Sequence, residues 1–329
     1  VLLILEACRR AVTWIVSLIG LVFFIYPLVS EYLPGLLASK ASGYQRLIGI
    51  TFFAQEGIYS STVYMVCTLI VGFIIFGSFL QSSGITKFMI DVASALMGRF
   101  RGGAPKIACL SSAFFAMISG STLANAASVG VVTIPMMKKA GLRAEFAAAV
   151  EAVASNGGPV TPPIMGAVVF VMMDFLGINY VTAMVAAAIP ALLYYLALLS
   201  MIDLEAAKKG LLGLKGEELP SLTKTLPEGW HCMLPFVVLI YFLAVLQYSA
   251  ETSVIYSLLA VILVSFFRKE SRLGPKKIIS ALETSMFGMP QVGAAVGMAG
   301  ILTGALAITG VGLKITGGLV EISGGNVFI

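Results

Sequence analysis

The chain has 329 residues, of which 59% are hydrophobic and 11% are charged. Soluble domains carry about 25% charged residues, so this composition excludes a soluble globular protein and predicts an all-α polytopic protein of the lipid bilayer. The net charge of +5 does not indicate a nucleic-acid partner, because the basic residues lie in short loops between apolar runs, where they set membrane topology.

Runs of about 20 apolar residues, the length that crosses a bilayer, recur along the chain. Residues 1–10 predict the end of an earlier helix. Residues 84–98 predict an amphipathic helix on the membrane surface, because Lys87 and Asp91 stand four apart opposite an apolar face. Residues 275–286 predict a second surface helix. The predicted spans are residues 11–30, 62–81, 181–201, 233–248, 253–267 and 291–309, with a charged cytoplasmic linker at 202–232.

Two short basic segments frame a stretch of interrupted apolar sequence. RFRGGAPK (residues 99–106) and KKAGLR (residues 138–143) both carry clustered Lys and Arg, so the positive-inside rule places both in the cytoplasm. The chain between them must cross an even number of times, but two full spans would need about 40 residues plus a turn. The sequence therefore predicts a re-entrant hairpin over residues 106–139, with its tip at the polar segment SGST.

A second polar interruption, SNGGPVTPP, lies within the next apolar segment and predicts a broken helix over residues 144–178. Helix breaks at membrane depth are tolerated where the freed backbone lines a buried cavity or binds an ion. Both interruptions supply oxygen atoms that suit a sodium ion, and their glycines permit the backbone conformations needed. The predicted sodium ligands are Ser119, Gly120, Ser121, Thr122, Asn125, Asn156, Gly157, Gly158, Val160, Thr161 and Pro162.

Carboxylates and helix ends near the interruptions predict further roles. Glu151 lies one turn before the second interruption and is expected to tune the ion site without ligating sodium, whereas Asp174 lies beyond it, near the outer interface. Half-helices beginning near Thr122 and Pro162 would point partial positive charge at the cavity, which suits a carboxylate substrate. The alternative is that the small residues at both interruptions only permit close helix packing.

The chain also contains a weak internal repeat. Shifted by 226 residues, Gly84 falls on Gly310 and Met89 falls on Ile315. The predicted topology gives the two copies opposite orientations, and an inverted repeat is typical of secondary transporters. The counterpart of the hairpin tip would fall at positions 345–351, so the second repeat is expected to be incomplete in this chain.

Residues 114–170, FFAMISGSTLAN through TPPIMGAVVF, resemble the large membrane subunit of tripartite ATP-independent periplasmic (TRAP) transporters. RFRGGAPK and the opening VLLILEACRRAV resemble the fused permeases that partner TAXI-type substrate-binding proteins. The resemblance covers essentially the whole chain. It implies a multi-pass, sodium-coupled elevator transporter of the inner membrane, which imports an organic anion delivered by a periplasmic TAXI-type protein.

The resemblance also implies a division of the chain. Residues 1–61 would end a small-subunit-like region with a transmembrane helix and a periplasmic loop. Residues 62–201 would form the first inverted repeat, and residues 233–329 would begin the second. The first sodium site of the family lies between the hairpin tip and the broken helix, here residues 119–125 and 156–162.

Two other functions stay open at this point. A related sodium–dicarboxylate symporter, which works without a binding protein, shares the paired hairpins, although the N-terminal span and its long outer loop argue against it. An intramembrane enzyme is disfavoured, because neither the clustered Asp residues that hold magnesium nor an HExxH zinc motif occurs. The sequence predicts no particular substrate.

Overall fold

The structure is a computed structural model of the 329-residue chain. It describes residues 1–322 except 41, 61, 62, 65, 167, 168, 170, 171, 174, 175, 215–218, 269 and 270. Within that part the secondary structure is helical, without strands. Four helices there are long and apolar enough to cross a membrane, or five if one bent pair counts as a span. The predicted all-α polytopic architecture is therefore confirmed.

The first of two compact units contains residues 1–68 and 286–329. Its core residues are Leu5, Cys8, Ile58, Ala294, Met298 and Ile301. A Cβ atom on Gly20 would lie 1.9 Å from Sδ of Met298, so the helix that carries Gly20 packs closely against residue 298. The first helices of this unit are α1 (Leu2–Ala11), α2 (Trp14–Val29) and α3 (Tyr44–Phe53).

The second unit, residues 69–285, contains the segments that carry the predicted site. Its helices are α4 (Val71–Ser82), α5 (Ile85–Met97), α6 (Gly103–Ser119), α7 (Thr122–Lys139), α8 (Ala144–Asn156), α9 (Tyr180–Lys208), α10 (Leu222–Ile240) and α11 (Ala250–Ser265). The last helices of the chain are α12 (Pro275–Thr309) and α13 (Val311–Ile322).

Helices α4 and α5 meet at a bend of 70°. Gly84 forms the bend with a φ of 88°, a left-handed conformation that glycine adopts without steric cost. Helix α5 buries Ile85, Met89 and Ala93 on one face and exposes Lys87. This is the amphipathic helix that the sequence predicts at 84–98.

Gly310, the predicted repeat counterpart of Gly84, also has a positive φ of 62° and also precedes a short helix, α13. Under the predicted repeat, α13 is therefore the counterpart of α5. The prediction of a separate surface helix at 275–286 is wrong, because these residues and the predicted span at 291–309 form the continuous helix α12. Helix α12 is itself long and apolar enough to cross a membrane. Pro290 lies within α12, and membrane helices tolerate an internal proline.

The linker predicted at 202–232 is shorter in the structure. Helix α9 extends to Lys208 and α10 begins at Leu222, so much of 202–232 is helical. Asp203 near the end of α9 pairs with Arg101 and with Lys106, whose Nζ lies 2.5 Å from Oδ1. These pairs attach the predicted basic segment before the hairpin to α9.

We predict that the two basic segments lie on the cytoplasmic side. A cysteine probe in each segment tests this, but the glycines Gly103 and Gly141 do not tolerate one. A Cβ at position 103 would lie 2.3 Å from the Gly98 carbonyl oxygen, and Gly141 has a φ of 93°. Phe100 and Ala144 are both exposed. Phe100→Cys and Ala144→Cys, in a full-length background without native cysteines, should resist a membrane-impermeant thiol reagent added from the periplasmic side.

The positive control is Tyr32→Cys, since Tyr32 is 85% exposed and follows the first predicted outward span. It should react under the same conditions. Labelling of position 100 or 144 from the periplasmic side would contradict the re-entrant hairpin.

Candidate functional site

The first predicted interruption is the tip of a helical hairpin. Helix α6 ends at Ser119 and α7 begins at Thr122, and Gly120 between them has a φ of 55°. Ser121 caps α7, because its Oγ accepts a hydrogen bond from the Ala124 N–H at 3.4 Å. The arms have 17 and 18 residues, about 26 Å each at 1.5 Å per residue. That is slightly less than the roughly 30 Å hydrocarbon core.

The second predicted interruption is the end of α8 at Asn156. A short 3-10 helix, Gly158–Val160, follows, and residues 161–164 form turns. The half-helix predicted to begin near Pro162 does not begin there, and the first described residue that is helical again is Val169. Pro162 and Pro163 lack backbone N–H groups, and each proline disfavours helical conformation in the residue before it.

The two interruptions pack against each other, backbone to backbone. A Cβ on Gly120 would lie 1.9 Å from the carbonyl oxygen of Met165. A Cβ on Gly158 would lie 3.7 Å from the backbone N and C atoms of Ser121, and one on Gly166 would lie 3.1 Å from the Gly120 carbonyl oxygen. The structure therefore brings the hairpin tip and the helix break into one site, and a side chain at position 120 would separate them.

The predicted ligands differ in their exposure. Ser121, Asn156 and Val160 are exposed. Ser119, Gly120, Thr122 and Pro162 are half-buried, and Asn125, Gly157, Gly158 and Thr161 are buried. The site thus has oxygen atoms both at the surface of the unit and inside it.

Asn125 has an unsatisfied acceptor. Its Nδ2 donates to the Ser112 carbonyl oxygen at 2.9 Å, while its Oδ1 has no hydrogen-bond partner in the part of the chain that the structure describes. Because the side chain is fully buried, an unpaired amide oxygen costs about 1–3 kcal/mol. This oxygen is therefore available to accept a ligand, and a hydrogen-bond donor or a cation would satisfy it.

Three tyrosines of α9 satisfy carbonyl groups that the helix break sets free. Tyr194 donates to the Val153 carbonyl at 2.6 Å, and Tyr195 donates to the Ala154 carbonyl at 3.1 Å. Tyr180 donates to the carbonyls of Pro163 and Ile164. The last carbonyls of a helix have no intrahelical partner. The tyrosine-bonded carbonyls thus flank the predicted ligand stretch 156–162 on both sides.

The sequence reasoning missed these tyrosines. They lie 16 to 41 residues from the carbonyls that they bind, and tyrosines in an apolar span are ordinarily assigned to packing or to the membrane interface. In the sequence, only the hydroxyl groups of these tyrosines could have indicated that they bond backbone carbonyls at the break.

Glu151 of α8 is 1% exposed, and its carboxyl group contacts both arms of the hairpin. Ser112 of α6 donates to its Oε1 at 2.8 Å, and Ser155 of α8 donates to the same atom at 3.2 Å. Thr133 of α7 donates to Oε2 at 2.5 Å. The carboxyl group therefore joins three helices through three hydroxyls. Asp174, the other predicted carboxylate, lies outside the described residues.

A cavity of about 310 Å³ lies in the second unit between α5, α6, Pro163 and α10. Its lining residues are Phe88, Met89, Val92, Phe114, Met117, Pro163, Leu226, Met233, Phe236, Val237 and Ile240. Ligand sites for polar molecules need a few convergent polar groups, and these residues place none in the cavity. It does not have the chemistry of an organic-anion site.

The family model for the DctM component of tripartite ATP-independent periplasmic transporters matches residues 1–329. The chain belongs to this family. A DctM component is part of a transport protein rather than an enzyme, and the apolar helices of this chain fit its place in the inner membrane.

Three curated relatives carry names that state a transported compound. The sialic acid TRAP transporter large permease protein SiaM of Vibrio cholerae is 30% identical over 195 residues, which are 58% of this chain and 44% of the relative. The C4-dicarboxylate TRAP transporter large permease protein DctM of Pseudomonas aeruginosa is 32% identical over 139 residues, which are 42% of this chain and 32% of the relative. The isethionate TRAP transporter permease protein DctMQ of Oleidesulfovibrio alaskensis is 28% identical over 204 residues, which are 61% of this chain and 32% of the relative. The chain spans less than half the length of each of these relatives.

We predict that Gly120→Ala destabilises this DctM-family chain more than Gly210→Ala. Both glycines have positive φ, 55° and 63°, so either alanine costs about 1–2 kcal/mol of left-handed strain. Only the Cβ at position 120 overlaps another backbone, whereas nothing lies within 4 Å of a Cβ at position 210. The overlap adds about 1–3 kcal/mol. Thermal unfolding of both full-length variants in detergent measures the difference, and equal losses would mean that the backbone contact at the tip is absent.

Proposed function

We propose that this DctM-family chain forms part of the permease of a sodium-coupled TRAP transporter that imports an organic anion. One observation carries the proposal: the hairpin tip packs against the helix break, and α7 carries the buried Oδ1 of Asn125, which has no partner among the described residues. Interrupted helices that meet in this way build the ion sites of secondary transporters.

Sodium, as the co-transported ion, would be held by oxygens of both interruptions. On the hairpin these are Ser119, Gly120, Ser121, Thr122 and Asn125, and on the break they are Asn156, Gly157, Gly158, Val160, Thr161 and Pro162. Thr161 Oγ1 donates to the Gly157 carbonyl at 2.7 Å and keeps lone pairs for a cation. All these donors are neutral oxygens of hydroxyl, amide and carbonyl groups, which suit a hard monovalent cation.

The organic anion would lie near the N-terminus of α7. Ser121 is exposed at this end, and the free N–H groups of a helix start favour negative charge. The names of the three relatives state sialic acid, C4-dicarboxylate and isethionate, which are anions at neutral pH. The expected second half-helix at Pro162 is not formed, so α7 provides the one helix start on which this part of the proposal rests.

The proposed partner is a periplasmic substrate-binding protein of the TAXI type. The family is that of a periplasmic transporter, which favours a binding-protein-dependent system over a symporter that works alone. The TAXI assignment rests on the resemblance of residues 1–12 and 99–106 to fused permeases. Movement of the hairpin and broken helix together across the bilayer, as in an elevator, would carry ion and anion jointly.

Uptake assays on the full-length transporter test the proposed sodium site. Ser121→Ala and Asn156→Ala each remove one oxygen, from opposite sides of the contact between the interruptions. Each should raise the sodium concentration for half-maximal uptake by about tenfold, which corresponds to about 1.4 kcal/mol. Because coupling between ligands is reciprocal, each should also weaken the affinity for the anion at fixed sodium.

The matched control is Ser200→Ala, since Ser200 is an exposed serine on α9 whose hydroxyl, within the described part of the chain, bonds its own helix at the Leu196 carbonyl at 2.8 Å. Its sodium dependence should stay that of the wild type. All three variants should bind the substrate-loaded binding protein normally. Unchanged sodium dependence in Ser121→Ala and Asn156→Ala would show that the interruptions only permit packing.

A further inference from the structure

The hydrogen bonds of Glu151 continue to the unpartnered oxygen of Asn125 through a single residue. Ser112 donates its hydroxyl to Glu151 Oε1 at 2.8 Å, and its carbonyl oxygen accepts from Asn125 Nδ2 at 2.9 Å. Ser112 lies on α6, Asn125 on α7 and Glu151 on α8. One residue of the entering arm therefore connects the broken helix to the returning arm.

This connection determines the orientation of the Asn125 amide. A carbonyl oxygen can only accept, so the amide must present its NH₂ group to Ser112, and its oxygen must point the other way. That oxygen has no partner among the described residues. The amide is thus held by its nitrogen with its oxygen available.

Packing alone does not account for Glu151. The side chain is buried, and within the described part of the chain it forms no ion pair. A buried carboxyl group without a cation is costly, and an apolar side chain of similar volume often stabilises a protein more. Gly130 makes room for it, since a Cβ there would lie 3.1 Å from Glu151 Cγ. The three hydroxyl contacts are what an apolar replacement would lose.

We propose that Glu151 is a positioning residue for the ion site. By bonding Ser112 and Thr133 at once, it fixes how the two hairpin arms lie along α8, and through Ser112 it holds Asn125 with Oδ1 presented to the cation. This inference rests on the proposed sodium site. It assigns Glu151 no contact with the ion, and its effect on sodium therefore passes through Asn125.

The test compares four single variants of the full-length transporter. Glu151→Leu removes all three contacts, whereas Glu151→Gln keeps an acceptor for Ser112 and gains an N–H for Thr133. Asn125→Ala removes the proposed ligand, and Ser112→Ala removes the hydroxyl but keeps the carbonyl. The matched control is Ser111→Ala, since Ser111 is the adjacent buried serine and its hydroxyl has no partner among the described residues.

The first readout is the sodium concentration for half-maximal uptake. Glu151→Leu and Asn125→Ala should each raise it about tenfold, because each deprives the cation of the Asn125 oxygen as a well-placed ligand; tenfold corresponds to about 1.4 kcal/mol. Ser112→Ala should raise it several-fold, and Glu151→Gln and Ser111→Ala should leave it within about twofold of the wild type. Thermal stability in sodium-free buffer, measured alongside, separates a loss of fold from a loss of ion affinity.

The double variant Glu151→Leu/Asn125→Ala decides the proposal. If Glu151 acts through Asn125, the double variant has the sodium dependence of Asn125→Ala alone, since non-additivity marks a shared interaction. If the double variant instead raises the sodium concentration for half-maximal uptake by the product of the two single effects, the positioning role is overturned. If Asn125→Ala raises the sodium concentration for half-maximal uptake and Glu151→Leu does not, the positioning role is also overturned, but the proposed sodium site is retained. No effect of Asn125→Ala would overturn this inference, whereas the sodium site itself is decided by Ser121→Ala and Asn156→Ala.

Discussion

The backbone of the hairpin tip meets the backbone of the helix break with no room for a side chain between them. Gly120 and the carbonyl oxygen of Met165 make the closest approach, and Gly166 keeps a second contact short, since a Cβ there would lie 3.1 Å from the Gly120 carbonyl oxygen. The shared site depends on this contact. It brings the ends of α6, α7 and α8 together, so that oxygen atoms from distant parts of the sequence share one small volume.

A bilayer makes such a contact difficult to build, because each freed backbone group must find a partner inside the protein. The structure solves this with side-chain hydroxyls. Tyr180, Tyr194 and Tyr195 of α9 bond carbonyls on both sides of the break. Glu151 accepts from hydroxyls of both hairpin arms and of its own helix. With the flanking groups satisfied, the buried oxygen of Asn125 is left without a partner among the described residues.

The positions of the hairpin and the break could be predicted from sequence, because Gly, Ser and Pro interrupt apolar runs only at cost and therefore mark where backbone is exposed. Where the neighbouring helices begin and end, and which side chains bond the break, was less predictable. Pro290 resembles a boundary but lies inside α12, whereas Pro162 was expected to start a helix and forms a turn. The partners of the break were missed, since Tyr195 and Ser112 are linked to it only by the fold. Periodicity predicts elements, but it does not predict which hydroxyl meets which carbonyl.

The central claim is that the hairpin tip and the helix break bind one sodium ion between them. Hydrogen–deuterium exchange of the full-length transporter, in sodium against potassium at equal ionic strength, tests it most directly. The account predicts that residues 118–125 and 156–166 exchange more slowly in sodium and that both segments respond over the same range of sodium concentration. Protection of only one segment, or equal exchange in the two salts, would contradict it.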